Sequence, residues 1–274
     1  MSKNLITGLL RGKTACITGG TTGIGRAITL EYLRQGANVA VNHLDLPQDA
    51  ELKKSLIQAA ADLKRHASPA QPVGELLEQA GDITEPATGE ALVGAAVSAW
   101  GKLDILVSNA GIFQPAEFLS QVLDKTLFDR TMAVNVHGAF YTLQAAARQM
   151  VRQGHGGALI GVSSISALQG GRLQTHYTPG KAAVASMVQS VAVALAPHGI
   201  RCNALLPGTV RTQLAEADMR DPKKRAFLED KIPLGVGRPE DVAGPAVFLA
   251  CERLSAWVTG AQILVDGGMY AHLQ

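Results

Sequence analysis

Residues 14–34 read TACITGGTTGIGRAITLEYLR, and this stretch decides the fold. Thr14 to Thr18 is a short apolar run that reads as a buried strand. Gly19-Gly20-Thr21-Thr22-Gly23-Ile24-Gly25 follows, and Arg26 to Arg34 has helical periodicity. A strand, a glycine-rich turn and a helix in that order can cradle a nucleotide. The glycines let the backbone approach a diphosphate closely, and the helix N-terminus offers N–H groups and a positive dipole end. The spacing is Gly-x-x-x-Gly-x-Gly, not G-x-G-x-x-G, so taken alone the loop also fits a purely structural turn.

Further along, more strands alternate with helices. Asn38 to Leu44 reads as a second strand, and its end is where a dinucleotide's adenosine ribose would be read. An acidic residue there, about 20 residues beyond the glycine loop, favours NAD, whereas a neutral or basic end admits the 2′-phosphate of NADP. Asn42, His43 and Leu44 stand at that end, so NADP is allowed, although neither Thr21 nor Thr22 adds a cation. The expectation is use of both NADP and NAD, leaning to NADP, with His43→Asp shifting the preference toward NAD. Equally, His43 fits a plain loop residue.

Asp49 to His66 reads as a helix and Ala67 to Pro72 as a loop. Gly74 to Gln79 reads as the third strand, followed by Asp82 and Ile83. Asp82 fits two roles, an acceptor for an adenine amino group or a cap for a helix from Thr84. Leu103 to Val107 is the fourth strand, and the small residues Asn109, Ala110 and Gly111 after it allow close approach of a flat ring or ribose. A long helix is expected from Thr131, carrying Asn135, a buried amide that calls for a specific partner.

Ala158 to Val162, the fifth strand, delivers Ser163 and Ser164 at its carboxyl end, where open α/β sheets bind ligands. Tyr177-Thr178-Pro179-Gly180-Lys181 opens the next helix, with Pro179 tolerable only in the first turn. One turn of helix would put Lys181 on the face of Tyr177, where an ammonium lowers a tyrosine pKa and fits it for proton transfer. Ile200 to Leu206 is the sixth strand, leading to Pro207, Gly208, Thr209, Val210 and Thr212. Gln213 to Lys231 reads as one charge-rich helix and a lid, Pro239 to Cys251 as a further helix, and Gln262 to Val265 as the last strand.

The chain has 274 residues, 47% hydrophobic and 18% charged, which suits one large α/β domain spanning residues 1–274. A net charge of +2 without basic runs argues against a nucleic-acid partner. Cys16, Cys202 and Cys251 have neither disulfide nor metal spacing, and no metal site is expected. Met1 to Lys13 reads as neither signal peptide nor anchor, and Ala182 to Pro197 is too short for a membrane span. The expectation is a cytoplasmic protein with no membrane partner.

Together these motifs resemble the short-chain dehydrogenase/reductase family from about Arg11 to Gly268. The glycine loop, Asn109-Ala110-Gly111, Asn135, Ser164, Tyr177-x-x-x-Lys181 and Pro207-Gly208 stand in that family's order, with Ser164 thirteen residues before Tyr177. The resemblance implies a Rossmann-type, doubly wound parallel sheet of seven strands with helices on both faces, and a homotetramer. It implies a catalytic set of Asn135, Ser164, Tyr177 and Lys181. It also implies a cofactor site from Gly19 to Gly25, at Asn42 to Leu44, Asp82, Ile83 and Asn109 to Gly111, and at Tyr177, Lys181, Pro207, Gly208, Val210 and Thr212. Three features depart from the family pattern: Ser108, Pro179-Gly180, and a long segment from Asp45 to Pro72 without a functional account.

Within the family the chain is similar to sugar 1-dehydrogenases, which implies oxidation of an aldose to its lactone. Ser164, Ser166, Arg172, Gln174, Tyr177 and Thr209 are the candidate contacts for a sugar. The alternatives are a 3-oxoacyl-thioester reductase and, outside enzymes, a dinucleotide-sensing scaffold.

Overall fold

A computed structural model describes residues 8–69 and 71–272. Met1 to Thr7, within the expected leaderless N-terminus, and Ala70, within the Ala67–Pro72 loop, lie outside the described residues. The strands are β1 (Thr14–Thr18), β2 (Asn38–His43), β3 (Leu76–Ala80), β4 (Ile105–Ser108), β5 (Gly157–Val162), β6 (Ile200–Pro207) and β7 (Gln262–Val265). The first three helices are α1 (Gly23–Arg34), α2 (Ala50–Arg65) and α3 (Pro86–Trp100). Next come α4 (Lys125–Met132), α5 (Gly138–Gln153) and α6 (Thr178–Leu195). The last are α7 (Glu216–Arg220), α8 (Pro222–Lys231), α9 (Pro239–Ala250), α10 (Glu252–Ser255) and α11 (Met269–His272).

The strands form one sheet in the order β3-β2-β1-β4-β5-β6-β7, every pairing parallel. A parallel sheet needs cover on both faces, which is why its central strands are mostly apolar and do not alternate with exposed polar residues. Every residue of β1 and β6 is buried, whereas the edge strands β3 and β7 are partly exposed. Successive residues of β1 feed opposite cores. Ile17 packs with Ile28, Tyr32 and Val247 from α1 and α9, and Cys16 packs with Leu92, Leu143 and Val188 from α3, α5 and α6. All three cysteines are buried and free.

The strand order reverses direction between β1 and β4, and such a switch point opens a crevice at the carboxyl ends of the strands. The glycine loop, Asn109–Gly111 and Ser163–Ser164 all leave their strands there. Helix α6 and the 3₁₀ turn after it, Thr178–His198, are long and apolar enough to cross a membrane. In the fold α6 instead lies on the sheet through Val184, Ala185, Val188 and Ala192.

Three boundaries differ from the sequence reading. The helix expected from Thr131 begins at Lys125, where the Asp124 carboxylate caps the Leu127 N–H at 2.8 Å, and it widens into a π turn over Ala133–His137. Tyr177 is not in the first turn of α6 but is its N-cap residue, and Pro179 is accommodated just inside the helix. Gln213 to Lys231 is not one helix but a 3₁₀ turn, α7 and α8, broken where Asp221 caps Lys223 and precedes Pro222.

Candidate active site

The glycine loop is built by close approach. A Cβ on Gly25 would lie 2.2 Å from the Gly19 carbonyl oxygen and 2.5 Å from Asn109 Nδ2. Gly19 and Gly23 take φ of +61° and +52°, which glycine adopts without strain. Asn109 locks the loop to β4, its Nδ2 donating to the carbonyl oxygens of Thr18 and Gly19 at 3.0 and 3.1 Å. Thr18 Oγ1 accepts from the Asn109 and Ala110 N–H groups, both at 2.9 Å. Thr22 stands at the N-cap of α1 without a side-chain cap, so the first turn turns backbone N–H groups toward the crevice. These features fit a diphosphate.

The crevice is a cavity of about 900 Å³. It brings together Gly19, Thr22, Gly23 and Ile24 from the cradle with Asn109, Ala110 and Gly111. Its lining also includes Ser164, Ser166, Arg172, Gln174, Tyr177 and Lys181, together with Pro207 to Val210 and Thr212. Gln213, Leu214, Asp218, Lys224 and Phe227 from the segment after β6 line it too.

Asn135 stands behind this cavity, 1% exposed, in the π turn. Its amide is the specific pair the sequence called for: Oδ1 accepts from the Ile112 N–H at 2.8 Å and Nδ2 donates to the Ile112 carbonyl at 2.9 Å. A Cβ on Gly111 would lie 3.2 Å from Asn135 Oδ1 and 3.3 Å from Lys181 Nζ, so Gly111 leaves open the space between them. Lys181 is 5% exposed and donates to the Val162 carbonyl at 3.0 Å, while its own carbonyl accepts from Ser163 Oγ at 2.7 Å. Ser164 Oγ accepts from the Ser166 N–H at 3.1 Å, and Ser166 Oγ donates to Gln174 Oε1 at 3.0 Å.

The pKa values run against one expectation. Burial pushes the Tyr177 hydroxyl up to about 12, and only its hydrogen bond with Ser164 pulls it back. Lys181 is lowered by burial to about 8. Its Nζ sits 5.6 Å from the Tyr177 ring centroid and is directed to the Val162 carbonyl, so the ammonium does not depress the tyrosine as the spacing suggested. Desolvation opposes charge on both groups and outweighs their attraction.

Several predicted cofactor residues have other duties. Thr21 is buried and outside the cavity lining. Asn42 is 3% exposed and donates to the carbonyls of Gly81 and Gln79 at 2.9 and 3.4 Å, which ties β2 to the end of β3. His43 is turned inward between Asp45 and Glu78, and Leu44 is half exposed. Asp82 accepts from the N–H and hydroxyl of Thr84 at 2.9 and 2.8 Å, a local turn and not the N-cap of α3, which is Glu85. Ile83 packs where a Cβ on Gly138 would meet it at 2.9 Å. Arg172 pairs with Glu117 at 2.9 Å in the open.

Sequence reasoning missed Phe113. Its ring lies 4.8 Å from Tyr177 and stacks 6.3 Å from His176, a fully buried imidazole with no hydrogen-bond partner on either nitrogen. No motif marks a lone phenylalanine past Asn-Ala-Gly.

Fold and crevice define the class, a doubly wound α/β protein with a dinucleotide cradle at its switch point. The chain belongs to the short-chain dehydrogenase/reductase family. The matching family model, described as Enoyl-(Acyl carrier protein) reductase, covers residues 19–270. L-rhamnose-1-dehydrogenase of Scheffersomyces stipitis is 52% identical over 270 residues, which is 98% of this chain and 100% of that one. L-rhamnose 1-dehydrogenase (NAD(P)(+)) of a Sphingomonas species is 48% identical over 97% of this chain and 99% of its own. Among solved structures, a short-chain type dehydrogenase/reductase from Mycobacterium marinum superposes with a TM-score of 0.81 at 35% identity, covering 95% of this chain and 96% of that one.

Proposed function

We propose that the protein oxidises an aldose at C1 to its lactone with NAD(P), and that L-rhamnose or a closely related sugar is the substrate. The observation that carries this reading is the shared cavity, which Ser164, Tyr177 and Lys181 line together with the glycine cradle. The full-length likeness to two L-rhamnose 1-dehydrogenases supports the choice of sugar.

Gly19 to Gly25, Asn109 to Gly111 and Pro207 to Thr212 would hold the dinucleotide. When bound, it supplies the hydride acceptor. Tyr177 then acts as general base and takes the proton of the anomeric hydroxyl. Ser164, fixed by the Ser166 N–H, hydrogen-bonds the reacting oxygen and favours the phenolate. Lys181 holds its ammonium beside that phenolate, and the gap kept by Gly111 gives protons a way out past Asn135. The Gln174 carbonyl is occupied by Ser166, which leaves its NH₂ as a donor for a sugar hydroxyl, with Arg172 and Thr209 at the same wall. Residues 213–231 serve as a lid in a single catalytic unit, and the chain assembles as a cytoplasmic homotetramer.

The test is turnover of NAD and NADP with a panel of aldoses, L-rhamnose among them, in wild type and Tyr177→Phe. Lactone formation lost in the variant supports the reading, and no turnover with any aldose refutes it. A second reading is reduction of a 3-oxoacyl thioester, which NADPH oxidation with an acetoacetyl thioester would reveal; the matching family model is described by an activity on the same class of carrier-bound thioesters. A dinucleotide-sensing scaffold would be favoured if Tyr177→Phe left the protein's relevant activity in the cell unchanged while no aldose was turned over in vitro.

A further inference from the structure

A second cavity, of about 550 Å³, lies at the amino ends of β4, β5 and β6, the opposite end of the sheet from the catalytic crevice. Ile105, Ala158, Ile200 and Ala250 give it apolar lining, and Lys13, Asp104, His155, Arg201, Glu252 and Thr259 add polar groups. None of these residues lines the crevice that holds Ser164, Tyr177 and Lys181. What the cavity can hold follows from which of its polar groups are already engaged.

Arg201 is 9% exposed, and its guanidinium donates to the carbonyls of Leu249 at 2.8 Å and Val258 at 3.4 Å. That engages two of its five N–H groups and leaves three without a partner among the described residues. Asp104 is already satisfied, because its Oδ2 accepts from the Thr14 N–H at 2.8 Å and lies 3.1 Å from Lys102 Nζ. Lys13, 3.6 Å from Oδ1, is a second ammonium on that carboxylate, so its charge is in surplus. His155 has a fixed tautomer when neutral. Gln153 accepts from the Leu103 N–H through Oε1 and donates to the Leu103 carbonyl through Nε2, both at 2.8 Å, which sets its amide. The same Nε2 lies 3.1 Å from His155 Nε2, so that ring nitrogen accepts and Nδ1 carries a proton with no partner. Thr259 Oγ1 accepts from the Cys202 N–H at 3.1 Å and keeps its own hydroxyl proton to give. Glu252 has neither hydrogen bond nor ion pair among the described residues and is a free acceptor.

Open donors thus outnumber open acceptors, with one surplus positive charge and one free carboxylate. A matching ligand has an anionic end for the cations and hydroxyls that can donate to Glu252. We propose that this cavity binds a small hydroxycarboxylate, its carboxylate held by Lys13 and Arg201 and its hydroxyls by Glu252, His155 and Thr259. Opening of a lactone by water yields an acid of this class, the aldonate. The site stands on its own residues, and only the choice of an aldonate as its probe rests on the aldose reading.

The experiment is calorimetric titration of the full chain with L-rhamnonate, and in parallel with L-rhamnitol, which has the hydroxyls without the carboxylate. Wild type should take L-rhamnonate at least about tenfold more tightly than L-rhamnitol. Arg201 is left in place because it holds two carbonyls, whereas Lys13 and Glu252 reach solvent and can be changed without loss of the fold. Lys13→Met should weaken L-rhamnonate by about tenfold. Glu252→Gln removes a negative charge beside the anion and should tighten it by about threefold, a sign that damage to the fold would not give. Neither residue lines the crevice, so kcat and KM for the sugar should stay at their wild-type values. No binding of millimolar L-rhamnonate by wild type, or equal binding of L-rhamnitol, overturns the proposal. Binding that both variants leave unchanged also overturns it, since the acid then sits in the catalytic crevice. A wild type that binds L-rhamnonate through Lys13 yet oxidises no aldose upholds the site and refutes the aldose reading. One that oxidises L-rhamnose and binds no acid does the reverse.

Discussion

Replacing Lys181 with methionine should raise stability while removing activity. The ammonium lies in a site where burial lowers its pKa from 10.5 to about 8. Each tenfold change in protonation is worth about 1.4 kcal/mol, so holding the charge there costs roughly 3 kcal/mol at neutral pH. Methionine keeps most of the volume and removes the charge. Losing the bond from this charged donor to the Val162 carbonyl returns about 2 kcal/mol of that gain, which leaves a net of about 1 kcal/mol. For a chain of this size the midpoint should rise by roughly 2 °C.

The sign follows from the direction of the shift. The folded pKa lies below the unfolded one, so the penalty is full below about pH 8 and gone above about pH 10.5. Thermal unfolding without nucleotide, compared at about pH 6 and about pH 10, measures it directly. The variant should be the more stable at the lower pH and no better than wild type at the higher. A variant less stable at the lower pH, or a difference that does not change with pH, would refute the reasoning. Aldose oxidation by the same variant should be lost, because the cofactor site would lack the ammonium expected to hold the nicotinamide ribose.

Gly25→Ala forces a Cβ to 2.2 Å from the Gly19 carbonyl and should cost about 1–3 kcal/mol in urea unfolding and abolish NAD(P) binding by fluorescence. Gly94→Ala is its control, since nothing lies within 4 Å there, and it should gain about 0.5–1 kcal/mol with binding intact. Gly111→Ala places a methyl against Asn135 Oδ1 and Lys181 Nζ, and kcat should fall on the order of tenfold with KM for the sugar little changed. His43→Asp should shift the NADP/NAD ratio of kcat/KM toward NAD, and an unchanged ratio would show that the 2′-phosphate is read elsewhere.

Much of this protein was legible in its chain. Short apolar runs such as Ile105 to Val107 read as buried strands by their length and flanking turn residues, so the pattern located all seven strands within a few residues. The cradle was legible because glycine spacing is a local property of one turn, and Tyr177, Lys181 and Ser164 because each lies at a strand end or helix start. Tertiary structure alone decided what their surroundings do to them. Spacing suggested an ammonium activating a phenol, but a pKa depends on desolvation, and burial raises Tyr177 and lowers Lys181. Likewise His43 stands where a ribose reader belongs, and only packing shows its ring held between the Asp45 N–H and Glu78. The Arg26 clamp that sets α2 against the N-terminus of α1 joins residues far apart in sequence. The pattern of residue types fixes which elements form and where they end. Which side chains meet across elements, and how far water is excluded from them, exists only in three dimensions.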